Sequence, residues 1–288
     1  MKPAPLRLER PRSLEEALAL LAEHGDDAKV IAGGQSLVPL LNFRLAAPAV
    51  LVDLNQVPAL AMIDIAEGSV RVGALCPQRD LERHSGALAA CPLLELALPY
   101  VGHVATRNRG TVGGSIAHAD AAAELPLLLQ ALGGEVEVTG PSGVRLVASE
   151  EFFVSHLTSC LEADEIVTEV HFPAGGDGWG SGFAEVAPRH GDYAVCAVAC
   201  ALRVEGGLVV EARVGAGAVS DRPVRLDAAE RALVGSGCEP DALAAAAGEA
   251  RRAVDPSDGM HASAEYRRHL TGVLVSRAAE RAYAMAAT

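Results

Sequence analysis

The sequence predicts an α+β fold in two parts, with a boundary near Gly175. Three observations carry that expectation. Helical and strand periodicities alternate along the chain, so neither an all-helical bundle nor a pure β-sandwich accounts for the pattern. The 288 residues, 50% hydrophobic and 21% charged, are enough for about two domains with buried cores. GGDGWGSG, from Gly175, is dense in glycine and nearly free of apolar anchors, which is the composition of a linker.

The first fifty-odd residues look like a βαβ-type unit. SLEEALALLAEHG begins with an N-cap at Ser13 and Glu16 in the capping-box position, continues with apolar residues at helical spacing, and ends at Gly25. KVIAGG reads as a short buried strand entering a glycine turn, and VLVDLN as a strand ending in Asp53. SVRVGALC alternates Val70, Val72 and Ala74 against Ser69, Arg71 and Gly73, the period of a half-buried strand. Helices are expected over PQRDLERH, CPLLELALPYVGH and the apolar ELPLLLQAL. GGEVEVTGPSGVRLVASEEFF has hairpin logic, with its turn at Gly140-Pro141-Ser142-Gly143, and EIVTEVHFP is one more strand, closed by Pro173. Beyond Gly175, YAVCAVACALRVEGGLVVEARVGAGAV reads as two strands joined at Gly206-Gly207. From about Asp227 the chain is alanine-rich and helical in propensity, with Pro240 and Pro256 as its main breakers.

Composition excludes several functions. A net charge of −13 opposes a phosphate-backbone partner, which needs a cationic surface. The N-terminus MKPAPLRLERPRS has no apolar secretory core, and no segment reaches the ~18 apolar residues a membrane helix needs, so a soluble, cytoplasmic protein is expected. The 6 cysteines, at 76, 91, 160, 196, 200 and 238, form no CxxC unit and read as buried, reduced thiols rather than ligands of zinc or an iron–sulfur cluster. No metal site is expected.

Two glycine-rich stretches stand apart from this pattern. AGGQS follows the strand KVI, and TRNRGTVGGSIAHAD reads neither as a helix nor as an ordinary strand. Glycine admits positive φ and close approach to the main chain, and successive N–H groups in such a turn can hold an anion. Two such nests would grip a diphosphate with neutral donors, which an acidic protein permits. No GxGxxG opens a helix and no GxxxxGK[ST] is present, so neither a Rossmann nor a P-loop site is indicated. From the residues alone, a purely structural role for each glycine pair stays open. Arg107 and Arg109 read as surface or interface charges before phosphate ligands. His118 beside Asp120 reads as a hydrogen-bonded brace, with no nucleophile in evidence for it to activate and no catalytic residue assigned.

AGGQSLVPLLNFRLAAPAVLVDLN, RNRGTVGGSIAHADAAAELP, LEADEIVTEVHFP, FAEVAPRHGDYAVCAVA and HASAEYRRHLTGVL, in that order, resemble the FAD-binding medium subunit of the molybdenum hydroxylases, the family of aerobic carbon monoxide dehydrogenase and xanthine dehydrogenase. The resemblance covers nearly the whole chain. It implies a two-lobed FAD-binding domain of the vanillyl-alcohol-oxidase/PCMH type over residues 1–175, with subdomains of about 1–55 and 56–175. A smaller α+β domain of the carbon monoxide dehydrogenase flavoprotein type would follow over 179–288. It also implies that Ala32, Gly33, Gly34, Gln35 and Ser36, with Leu37 extending the loop, and Thr111, Val112, Gly113, Gly114 and Ser115 hold the FAD pyrophosphate. Glu124 matches an acid that bonds the ribose, although some relatives have Asp there. Val167 matches the strand lining the adenine, with Ile166 as the alternative. Tyr193 matches an aromatic near the isoalloxazine, or it simply caps a core strand. The Lys that several relatives carry in the segment matching FAEVAPR is missing.

The resemblance further implies an electron-transfer oxidoreductase subunit. FAD would be its only cofactor, molybdopterin and [2Fe–2S] would lie in a large and a small partner subunit, and the assembly would be a dimer of heterotrimers, a heterohexamer. An external acceptor would take the electrons. Two other readings compete: a self-sufficient FAD-dependent oxidoreductase on the same architecture, and a non-enzymatic anion-binding module.

Overall fold

The computed structural model describes residues 2–66 and 68–287. A three-stranded parallel sheet places Val50–Asp53 between Arg7–Glu9 and Ala28–Ile31. The helix Leu14–His24 packs on it through Ala17 and Leu21, and Ser13 caps that helix by accepting from the Glu16 amide. Next comes a five-stranded antiparallel sheet in the order Ile63–Ala66, Ser69–Gly73, Ile166–Pro173, Glu135–Gly140, Gly143–Ala148. The expected hairpin is its outer pair. The last strand to join, Ile166–Pro173, lies at the centre, so this sheet cannot close until the chain has run past residue 166.

A four-stranded antiparallel sheet follows: Trp179–Val186, Cys196–Glu205, Leu208–Gly217 and Val224–Arg225. The helices Asp227–Leu233, Pro240–Ala253 and Ala264–Ala286 accompany it, as the alanine-rich tail predicts. The segment expected as a linker is shorter than its glycines suggest. Trp179 already begins a strand, with Arg213 stacked 4.6 Å from the ring centroid. Gly180 and Gly182 are strand residues whose added Cβ would strike the carbonyls of Ala282 and Ala278. Those glycines serve close approach of a strand to a helix, not flexibility.

The apolar stretch ELPLLLQAL is the helix Glu124–Leu132, every residue of which is buried. It lies between Ile166–Pro173 of the five-stranded sheet and the strands Cys196–Glu205 and Leu208–Gly217 of the next. Gly215 and Gly217 bring the strand against Ala131 and Leu127. A helix apolar all round is what a position between two sheets requires. Two helices escape the sequence pattern. Leu37–Phe43 contains Pro39 in its first turn, where proline is tolerated, and ends on Arg44 in the left-handed region at φ 57°. Val112–His118 contains Gly113 and Gly114, each costing about 1 kcal/mol of helix propensity relative to Ala.

Candidate functional site

The two glycine stretches converge. A Cβ on Gly33 would fall on the carbonyl of Arg109, and one on Gly114 would lie 3.9 Å from the Ala32 Cβ. Asn55, just past the strand Val50–Asp53, fixes the first loop by donating from Nδ2 to the Ala32 carbonyl at 2.9 Å. Sequence reading missed Asn55, although its place directly after the Asp53 strand end was visible.

The reason for the glycines differs from the expectation. Gly33 is bare because the second loop's main chain abuts it, and Gly113 because the Ala74 backbone and methyl do. Only Gly34, at φ 72°, owes its identity to backbone conformation. The second stretch is also not a loop with a free nest. Thr111 is the N-cap of the helix Val112–His118, and its Oγ1 accepts from the Gly114 amide at 3.1 Å. The amides of Val112, Gly113 and Ser115 donate to the carbonyls of Cys76, Ala74 and Thr111 at 3.0, 3.0 and 3.1 Å. The first loop behaves otherwise. Among the described residues, the amides of Gln35, Ser36 and Leu37 at the start of the helix Leu37–Phe43 meet no acceptor. Those amides, with those of Gly33 and Gly34, which among the described residues meet no acceptor either, are main-chain donors on offer, joined by the hydroxyls of Ser36, Thr111 and Ser115.

Arg107 is not a surface charge. It is buried, grips both carboxylate oxygens of Glu82 at 2.9 and 3.0 Å, and donates to the carbonyls of Val101 and Gly102. Burial alone would raise Glu82, but hydrogen bonds from Arg107 and Arg79 outweigh it and hold that carboxyl below its usual range. Arg107 thereby fixes the segment that leads into Arg109–Ser115. Arg109 itself is exposed. His118 makes no hydrogen bond to Asp120; Asp120 instead accepts from the Ala122 amide at 2.9 Å. Burial lowers His118, with Asp120 opposing.

Glu124 opens the buried helix, is 7% exposed, and has no side-chain donor among the described residues. Burial pushes its carboxyl up to about 7, with the helix's own N-terminal amide opposing and the charge of Asp120 adding. A buried carboxyl lacking a side-chain partner fits the hydroxyls of a ribose. Tyr193 is exposed, on the turn before Cys196–Glu205, and its phenol is raised by partial desolvation and then by Asp120 and Glu124. The turn is pinned to the segment that leads into the second glycine stretch: Gly191, at φ 86°, sits against the His103 ring and Gly102 carbonyl, and His190 stacks on Tyr100 at 5.8 Å. Val167 and Ile166 are both buried and part ways, Val167 into the core of the five-stranded sheet and Ile166 into the core of the N-terminal lobe. Loop amides, hydroxyls and a buried acid without a side-chain partner thus make a donor and acceptor set that fits a flavin nucleotide.

Comparison with known proteins agrees. Residues 4–175 match the family described as FAD binding domain in molybdopterin dehydrogenase, and residues 181–282 match the CO dehydrogenase flavoprotein C-terminal domain. The chain is 41% identical to the alpha subunit of the 6-hydroxypseudooxynicotine dehydrogenase complex of Paenarthrobacter nicotinovorans, over 96% of this chain and 94% of that one. It superposes on a chain of reconstituted CO dehydrogenase from Oligotropha carboxidovorans with a TM-score of 0.97 at 34% identity, covering 99% and 100% of the two chains. On quinoline 2-oxidoreductase from Pseudomonas putida 86 the TM-score is 0.95 at 38% identity, over 100% of both. With its first family match spanning more than half the sequence and its relatives aligned end to end, the chain belongs to the FAD-binding medium subunits of the molybdenum hydroxylases.

Proposed function

We propose that this chain is the flavin station of a three-subunit molybdenum hydroxylase. It takes electrons from [2Fe–2S] clusters on a small partner and delivers them to an external acceptor, while a large molybdopterin subunit converts the substrate. The single observation that supports this most is the convergence of the Ala32–Leu37 and Thr111–Ser115 segments beside the buried Glu124. Bound FAD would supply a group that accepts and releases electrons one or two at a time.

The chain's own residues hold and shield that group. The amides of Gln35, Ser36 and Leu37 and the hydroxyls of Ser36, Thr111 and Ser115 would donate to the diphosphate. Glu124 would accept from the ribose, the segment around Ile166–Val167 would border the adenine, and Tyr193 would lie near the ring system. Cluster ligation falls to the partner: among the described residues no three of the cysteines gather their sulfur atoms within 4.8 Å of one another.

The whole-chain match to multi-subunit relatives favours this over a self-sufficient flavoenzyme. The test is to purify the chain with its native partners and record its visible spectrum. Flavin and iron–sulfur absorbance with copurifying molybdopterin and [2Fe–2S] polypeptides is expected, in a dimer of heterotrimers by mass. A colourless preparation, or a flavoprotein turning over substrate alone, would overturn the proposal.

A further inference from the structure

The cysteine pattern predicts no metal site, but three ligands of another kind meet on the five-stranded sheet. Along the strands Glu135–Gly140 and Ile166–Pro173, Val136, Val138, Val170 and Phe172 turn into the core. Glu137, Glu169 and His171 take the opposite face of the same two strands. One ligand atom from each, two carboxylate oxygens and an imidazole nitrogen, lies within 4.8 Å of the other two. The site is open but not loose: the side chains of His171 and Glu169 are only 16% and 24% exposed.

An irregularity in the strand pairing brings the three together. The register runs through Ile166 opposite Thr139 and Val167 opposite Val138, then slips, so that Glu169 rather than Thr168 stands opposite Glu137. Thr168 is the extra residue of a bulge, and the slip turns Glu169 and His171 outward, where regular alternation from Val167 would aim them at the core. Two carboxylates directly opposite on one sheet face repel each other, and a cation between them reverses that sign. The bulge residue also orients one of them. Thr168 Oγ1 donates to Glu137 Oε1 at 2.6 Å and lies 3.3 Å from Thr139 Oγ1. His171 Nε2 is 3.1 Å from Glu169 Oε2. Of the residues paired with His171 on the flanking strands, Arg71 bonds Asp64 at 2.7 Å and Glu135 is exposed.

We propose that Glu137, Glu169 and His171 form a site for a divalent transition-metal ion of the Zn²⁺ class, which ties the central strand of this sheet to its hairpin. One imidazole and two carboxylates are the ligand types of a three-ligand zinc centre, with water in the fourth position. A tetrahedral ion at about 2.0–2.2 Å holds its ligand atoms about 3.3 Å apart. The His171–Glu169 pair already stands at that spacing, and Glu137 closes by a side-chain adjustment. Thr168 is then the outer hydroxyl that aims Glu137. The absence of a thiolate from the set disfavours Cu(I), and the imidazole disfavours Mg²⁺ and Ca²⁺. The site draws no ligand from either glycine segment, so it does not depend on the flavin assignment.

The experiment titrates Zn²⁺ into the chelator-treated full-length chain by calorimetry, with Mg²⁺ as comparison, for wild type, Glu137→Gln, His171→Ala and His261→Ala, each checked for folding by circular dichroism. The wild type should take up one Zn²⁺ per chain in its tightest step, at micromolar concentration, and give no such step with Mg²⁺. Glu137→Gln, which keeps its shape and an acceptor for Thr168, and His171→Ala should each weaken that step at least about tenfold. His261→Ala removes an exposed histidine elsewhere and should leave it unchanged. Saturating Zn²⁺ should raise the melting temperature of the wild type and not that of Glu137→Gln. X-ray absorption at the zinc edge should show nitrogen and oxygen neighbours at about 2.0–2.2 Å and no sulfur. No Zn²⁺ uptake by the wild type would overturn the site. Uptake undiminished in Glu137→Gln or in His171→Ala would do the same, since it would mark an adventitious ion only.

Discussion

At the residue scale, the glycines and the arginine of the second segment turn out to be parts of the frame. Gly33→Ala or Gly113→Ala places a methyl on backbone atoms of Arg109 or Ala74, and overpacking of that kind costs about 1–3 kcal/mol. Both variants should show a lower urea midpoint even before flavin is added. Ser36→Ala and Ser115→Ala remove only hydroxyls at the cleft, and should weaken FAD retention at unchanged unfolding midpoint. Arg107→Ala takes from Glu82 its two-point partner, leaving Arg79, and deprives buried carbonyls of their donor, a loss of about 1–3 kcal/mol. Because Glu82 is depressed in the fold, its contribution is present above the unfolded carboxylate range and lost as pH falls through the folded value. The Arg107→Ala deficit should therefore narrow in acid denaturation.

At the element scale, the helix Val112–His118 exists despite its composition. Two glycines weaken it, and the cap from Thr111 together with packing on Ala74 restores it. Thr111→Val removes the acceptor for Gly114 and should cost about 1 kcal/mol in denaturant unfolding while lowering flavin occupancy. The strand Trp179–Val186 follows the same rule in the C-terminal sheet. Gly182→Ala would push its added methyl into the Ala278 carbonyl and separate strand from helix, by about 1–3 kcal/mol on the same measurement.

For the whole molecule, the helix Glu124–Leu132 sits in a core shared with Phe183, Ala197, Ala199 and Ala201 of the next sheet, so the two parts are not independent bodies joined by a linker. Unfolding followed by Trp179 fluorescence and by far-ultraviolet circular dichroism should therefore give coincident transitions. FAD at a hundredfold excess over its Kd should raise stability by about 2.7 kcal/mol. Glu124 and Glu185, raised to about 7 and about 8, contribute stability that is whole below the unfolded carboxylate range and is lost as pH rises through those values. The deflavinated chain should accordingly have a higher melting temperature near pH 6 than near pH 9, with the difference reduced in Glu185→Gln.

What the sequence determined by itself was local and periodic. The capped helix at Ser13, the alternating strand at Val70, the hairpin turn at Gly140–Gly143 and the alanine-rich tail follow from spacing within a few residues, and the order of the motifs carried the family. Only the tertiary structure decided why Gly33, Gly113 and Gly182 lack side chains, because the atoms that exclude them come from Arg109, Ala74 and Ala278. It likewise decided that Arg107 is buried and that the helix opened by Glu124 lies between two sheets. Close approach and desolvation are set by what lies across space, and a sequence shows a residue only beside its chain neighbours.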